Sequence, residues 1–226
     1  LKRNHIFLMK HEKTMLFSGI IVMGESRVDK KVSTAYTDGI NVVYGEKYLE
    51  RCDEPLLRAT IMHEVGHKYL RHLSHYMHIF KEDARLANFA ADFVVNDIIV
   101  RWNTPDIQIG EGWLWNPMFR DWSVTQVYDY LKKEQQRIDK EKEQGGAGGQ
   151  GDEGGQDSGS PDDEGQLKGN NNREPTDIDD MLRNNKKTMD EHDFKKLSEE
   201  EIKELGEKID GALRQGGILA GILGGD

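Results

Sequence analysis

The stretch Asp53-Glu54-Pro55-Leu56-Leu57-Arg58-Ala59-Thr60-Ile61-Met62-His63-Glu64-Val65-Gly66-His67-Lys68-Tyr69-Leu70 decides how this chain is read. Asp53 suits a helix N-cap and Pro55 a first turn. Leu56, Leu57, Ile61, Met62, Val65, Tyr69, Leu70 and Leu73 then recur at helical spacing. On such a helix His63 and His67 stand four residues apart and project from one face, one turn above the other. That geometry lets both imidazoles bind one zinc ion, and it places Glu64 to take a proton from the metal-bound water. Zinc lowers the pKa of that water to about 7, so hydroxide is available at neutral pH. Gly66 costs about 1 kcal/mol in helix propensity, and is read here as clearing space beside the metal. The bland alternative is a chance H-E-x-x-H string on an ordinary amphipathic helix. The flanking sequence argues for the metal.

Upstream, residues 15–44 read as strands. Met15 to Met23 is an apolar run rich in β-branched residues, and Val32–Thr37 and Ile40–Tyr44 flank Asp38-Gly39, a two-residue hairpin signal. Downstream, a second helix is predicted over about Glu82–Arg101, with Leu86, Phe89, Ala90, Phe93, Val94 and Ile98 at helical spacing. A catalytic zinc site needs a third protein ligand and an open position. His72, His75 and His78 are near in sequence, but at about 100° per residue His72 points away from His63. These three are read as surface or packing histidines. Asp92, among Ala90, Ala91 and Phe93, is the better ligand, because a carboxylate on a buried helix is costly unless paired or metal-bound. Its alternatives are a buried hydrogen-bonded carboxylate or a pair with Arg85 or Arg101. Asn96, one turn on, is placed to orient His63 or His67. The predicted fold class is α+β: a zincin-like arrangement in which a small N-terminal sheet or hairpin packs on a helical core carrying the His63–His67 helix.

Charge divides the chain. Residues 1–143 hold 21 Lys+Arg against 21 Asp+Glu, whereas residues 144–226 hold 10 against 20. A neutral body with an acidic tail lacks the basic face that nucleic acid requires. The single cysteine, Cys52, excludes an internal disulfide framework and any multi-cysteine zinc finger. No apolar run reaches membrane-spanning length, and the apolar core near Leu1–Lys10 is short for a signal peptide, so a cytoplasmic protein is expected. An opening at Leu1 without Met is expected of a processed or trimmed chain.

Beyond a Trp- and Pro-bearing loop, Ser123 and Gln126 form a capping-box pattern for a helix ending near Glu143, the end of the body domain (1–143). Residues 144–175 are Gly, Gln, Asn, Ser and acid, and read as a flexible linker. In the third part, 176–226, Ser198 and Glu201 form another capping box for a helix expected to stop at Gly216-Gly217. The apolar end, Ile218 to Leu223, is expected to dock with this helix on the body.

The order Thr34-Ala35-Tyr36-Thr37-Asp38-Gly39, then His63-Glu64-Val65-Gly66-His67, then Ala90-Ala91-Asp92-Phe93-Val94-Val95-Asn96 resembles a metallopeptidase domain family of bacteria and tailed phages. The resemblance continues through Ser123 to Tyr130 and, weakly, to Asp190-Glu191-His192-Asp193. In bacteria the family is often joined to a von Willebrand A-like domain and encoded near an AAA ATPase, so either is an expected partner. No segment here corresponds to the von Willebrand A-like domain, so a minimal or partial form of the family is expected. The resemblance implies zinc on His63 and His67, with the helix-borne Asp92, and Glu64 as base. His192 is either an exposed histidine or a distal residue that returns to stabilise the oxyanion. Three functions follow: zinc-dependent hydrolysis of a peptide or protein substrate, hydrolysis of a non-peptide bond, or a zinc-stabilised, catalytically weak adaptor for an ATPase or phage partner.

Overall fold

The computed structural model describes residues 1–145, 165–184 and 198–223. Helix α1 (Lys2–Lys10) is followed by a 3-10 turn (Met15–Phe17) and the short α2 (Ser18–Ile21). The apolar run expected as a strand is therefore helical. Its nine residues are too few for periodicity to separate the two readings, and packing decides. Gly19 presses on α10 (Glu199–Leu223), where a Cβ would stand 2.1 Å from the carbonyl oxygen of Ala212.

Three strands follow: β1 (Ser26–Asp29), β2 (Ala35–Thr37) and β3 (Val42–Gly45). The sheet order is β1-β3-β2, with β1 parallel and β2 antiparallel to the central β3. The predicted hairpin is present, but Thr37 pairs with Val42, so the turn spans Asp38–Asn41 rather than two residues. Asp38 closes it by accepting from the backbone N–H of Ile40 and Asn41 at 2.9 and 2.7 Å, and Gly39 supplies φ +92°. The carboxyl of Asp38 lies below its ordinary range: hydrogen bonds from the side chain and backbone of Asn41, and from Ile40, outweigh its burial.

After α3 (Glu46–Arg51), α4 (Glu54–Tyr69) begins at Asp53, whose side chain accepts from Leu56 N–H at 2.9 Å. Next come α5 (His72–His75), α6 (Met77–Glu82) and α7 (Ala84–Trp102), the last capped by Asp83 on Leu86 N–H. Helix α8 (Val124–Gly145) opens on the expected capping box, Ser123 N–H donating to Gln126 Oε1 at 2.8 Å. The short α9 (Ile178–Arg183) packs on α8 through Met181 and Leu182. The architecture is α+β: a small sheet on a mostly helical body.

Two apolar clusters form the core. One joins α1, α2, the sheet, α4 and α10, and the other joins α6, α7, α8 and α9. Helix α7 belongs to both, giving Val95 and Ile99 to the first and Ala87, Phe89, Ala90, Ala91 and Phe93 to the second. It is the shared wall.

The tail lies against this body. Of the Gly-rich segment, 146–164 lie outside the described residues. From Gly165 the chain runs along the body, with Leu167 bonded to Arg51 and Asp53, and Asn170 to Ile109. Helix α10 begins with the Ser198–Glu201 box and does not stop at Gly216-Gly217. At Gly216 a Cβ would meet the carbonyl oxygen of Leu16 at 2.1 Å, so this glycine allows a close helix crossing rather than ending a helix. Leu205, Ile209 and Ala212 enter the core, whereas Ile218 and Leu219 stay exposed, at 64% and 43%.

The crossing makes the glycines of α10 unequal. Gly216→Ala and, on α2, Gly19→Ala should each lower unfolding stability by about 1–3 kcal/mol through overpacking. Gly211 has nothing within 4 Å of a built Cβ, so Gly211→Ala should stabilise by about 0.5–1 kcal/mol. Urea denaturation of the three variants measures the contrast.

Candidate metal centre

His63 and His67 lie on the third and fourth turns of α4 and Asp92 on the middle of α7. Their side chains converge. The two Nε2 atoms are 2.9 Å apart, and Asp92 Oδ1 lies 3.6 Å from Nε2 of His63 and 3.4 Å from that of His67. One donor atom from each of the three lies within 4.8 Å of the others. All are buried, at 3%, 1% and 4% exposure for His63, His67 and Asp92, and Glu64 beside them is 0% exposed. Tetrahedral ligands about 2.0–2.1 Å from zinc are separated by about 3.3 Å, close to the Asp92–His spacings.

The outer nitrogens of the rings are occupied. His63 Nδ1 is 2.9 Å from Asn96 Oδ1, and Asn96 Nδ2 donates to the carbonyl of Leu114 at 2.8 Å. Because the amide nitrogen is committed to Leu114, the amide oxygen must face His63, so His63 donates from Nδ1. Its Nε2 lone pair then points into the cluster, the tautomer a metal ligand requires. Of the two roles open to Asn96, the structure shows the contact with His63. His67 Nδ1 instead meets His72 Nδ1 at 2.8 Å. Two imidazole Nε2 atoms and a carboxylate oxygen facing one another in a buried space form a donor set that fits a cation. Of the cations weighed against Asp92, Arg85 donates to Gln135, and Arg101 pairs with Asp97 and Asp121.

Gly66 has a different use from the one expected. A Cβ there would meet Val95 Cγ1 of α7 at 2.6 Å and Cγ2 at 3.1 Å. It clears space for a neighbouring helix, not for the metal, and the close crossing brings Asp92 to the two histidines. His72 is a packing histidine, but it does not point where the helical wheel puts it. Helix α4 ends at Tyr69 and Arg71 turns left-handed at φ 57°, so the helical extrapolation fails and His72 folds back fully buried. His75 and His78 are exposed. His192 lies outside the described residues.

Around Glu64 the surroundings are cationic and phenolic. Lys68, one turn further along α4, is buried and donates to the carbonyl of Met23 at 3.0 Å. Desolvation pushes its ammonium down to about 8, against the pull of Glu64 and Asp38. Burial first, and then the charge of Glu64, raise the Tyr44 phenol well above its ordinary value. Trp113 stands edge-on to His63, ring centroids 5.1 Å apart. Its loop is held by the tail: Thr176 exchanges two hydrogen bonds with the backbone of Trp115, at 2.7 and 3.0 Å, and Arg173 donates to the carbonyl of Gly110.

Fold and site together define an α+β protein with a buried His-His-Asp candidate metal centre. The chain belongs to the family described as "Putative metallopeptidase domain", whose profile matches residues 3–225 and so includes the tail. No curated protein and no solved structure matches the chain. Among the described residues no helix is long and apolar enough to cross a membrane.

If Gly66 sets the spacing of α4 and α7, Gly66→Ala should cost about 1–3 kcal/mol and weaken metal binding. Adding Val95→Ala should restore part of both. Metal affinity and denaturant unfolding of the single and double variants check this, and a double variant no better than the single one would count against the spacing role.

Proposed function

We propose that the protein is a zinc-dependent metallopeptidase hydrolysing peptide bonds, with His63, His67 and Asp92 as ligands and Glu64 as general base. The observation that supports this most is the convergence of two imidazole Nε2 atoms and a carboxylate oxygen from two helices. Two imidazoles and one carboxylate are a donor set that suits zinc and leaves a coordination position for water or substrate. The membership of the chain in its family adds to the reading, as does the His-Glu-Val-Gly-His order on α4. A zincin-type fold is the architecture this reading carries with it.

When bound, zinc supplies a Lewis acid that polarises the scissile carbonyl and acidifies water. The chain's own residues do the rest. Glu64, on the turn between the two histidines, takes a proton from the attacking water and passes it to the departing amine nitrogen. Lys68 places a positive charge near Glu64, favouring the carboxylate form that a base needs. Asn96 holds His63 in the ligating tautomer. An edge of the three-stranded sheet offers backbone groups to an extended peptide.

A second reading rests on the enclosure of the site. His63, Glu64, His67 and Asp92 are each at most 4% exposed, which suits a metal-stabilised module that binds an ATPase or phage partner and catalyses weakly. The two readings differ at Glu64. Glu64→Gln should keep zinc and fold while peptide-library turnover falls about 10²–10⁴-fold. Turnover near the wild-type rate would remove Glu64 as base. A zinc-loaded wild type that cleaves no peptide in the library would favour the binding module.

A further inference from the structure

The turn after α4 is built with care. Arg71 adopts φ 57° and ψ 37°, a left-handed conformation that non-glycine residues seldom take. Its guanidinium pairs with Asp210 of α10, 139 residues away in sequence, and Leu73 flanks Gly39 together with Leu205 of α10. The reversal folds His72 back beneath the end of α4. There its ring centroid lies 4.9 Å from that of His67, nearly perpendicular at 74°, with Nδ1 2.8 Å from Nδ1. His72 is 0% exposed.

Two imidazole nitrogens at this distance share one proton, one ring donating and the other accepting. Were His72 the donor, the neutral His67 would carry its own proton on Nε2, aimed at His63 Nε2 and Asp92 Oδ1, and could not be a ligand. With His67 as donor, its Nε2 lone pair faces the cluster and His72 is protonated on Nε2. We propose that His72 is a positioning residue that accepts the Nδ1 proton of His67 and so fixes its ligating tautomer and ring orientation. The inference rests on the metal reading of His63, His67 and Asp92. Asn96 does for His63 what His72 does for His67: one ligand is held by an amide oxygen from α7 and the other by an imidazole nitrogen on a turn braced by α10. Such outer partners orient a ligand and raise its basicity.

The test is zinc affinity of the full chain by competition with a chromophoric chelator, with the melting temperature of the metal-free protein read alongside. His72→Phe keeps a ring in the core and removes the acceptor. His72→Asn returns an acceptor near the position of Nδ1. His72→Phe should weaken zinc binding about 10–100-fold, and His72→Asn should recover most of that loss. Zinc affinity unchanged in His72→Phe would overturn the proposal. So would equal losses in both variants that track a fall in metal-free melting temperature, since that is the pattern of packing alone. An independent readout needs no variant: in the zinc-loaded wild type, a proton on His67 Nδ1 should show scalar coupling to His72 Nδ1 across the hydrogen bond, and its absence would overturn the assignment. A wild type that binds no zinc would bring down the metal reading itself. Tight wild-type binding with an indifferent His72→Phe would remove the positioning role alone.

Discussion

The contact between Gly66 on α4 and Val95 on α7 is the constraint around which the rest of the molecule is arranged. Any side chain at Gly66 would start 2.6 Å from a methyl group of Val95, and valine is stiff at χ1 and cannot swing aside. The glycine costs helix propensity, about 1 kcal/mol against alanine. In exchange two helices approach closely enough for a carboxylate on one to meet two imidazoles on the other. Both apolar clusters are built against α7, so the crossing is held from both sides.

A buried group of this kind is stable only if its polar atoms are satisfied. For the outer nitrogens of the two histidines the chain draws partners from other segments. Leu114 fixes Asn96, Asn96 fixes His63, and the loop bearing Leu114 is in turn tied to Thr176 and Arg173 of the tail. On the other side, α10 holds Arg71, whose turn delivers His72. The tail is therefore part of the frame that shapes the centre, in keeping with a family profile that runs to residue 225. Lys68 completes the inner surroundings, a desolvated cation near the carboxylate of Glu64.

Much of this was legible in the sequence because it depends on local spacing. The Asp53 cap, the helical placement of His63 and His67, the buried acid at Asp92 and the Ser123 and Ser198 capping boxes all act within a few residues. What was not legible depends on contacts between remote segments. Met15–Met23 has the composition of a strand, yet Gly19 stands in the helical turn α2, pressed against α10 where a Cβ would clash with Ala212. Gly216 reads as a helix stop, but its neighbour is Leu16, not solvent. The direction of His72 is not legible because a helical wheel assumes the helix continues, and nothing near Arg71 announces a left-handed residue braced from α10. The sequence signal for it is a histidine five residues beyond His67, past the end of a helix.

The reading of the site turns on whether His63, His67 and Asp92 hold one metal ion between α4 and α7. Anomalous diffraction at the zinc edge, on crystals of the full chain supplied with zinc, tests it most directly. One strong peak is expected, about 2.0–2.1 Å from Nε2 of both histidines and about 2.0–2.2 Å from a carboxylate oxygen of Asp92. A peak held by other side chains, or none between these helices at saturating zinc, would contradict it.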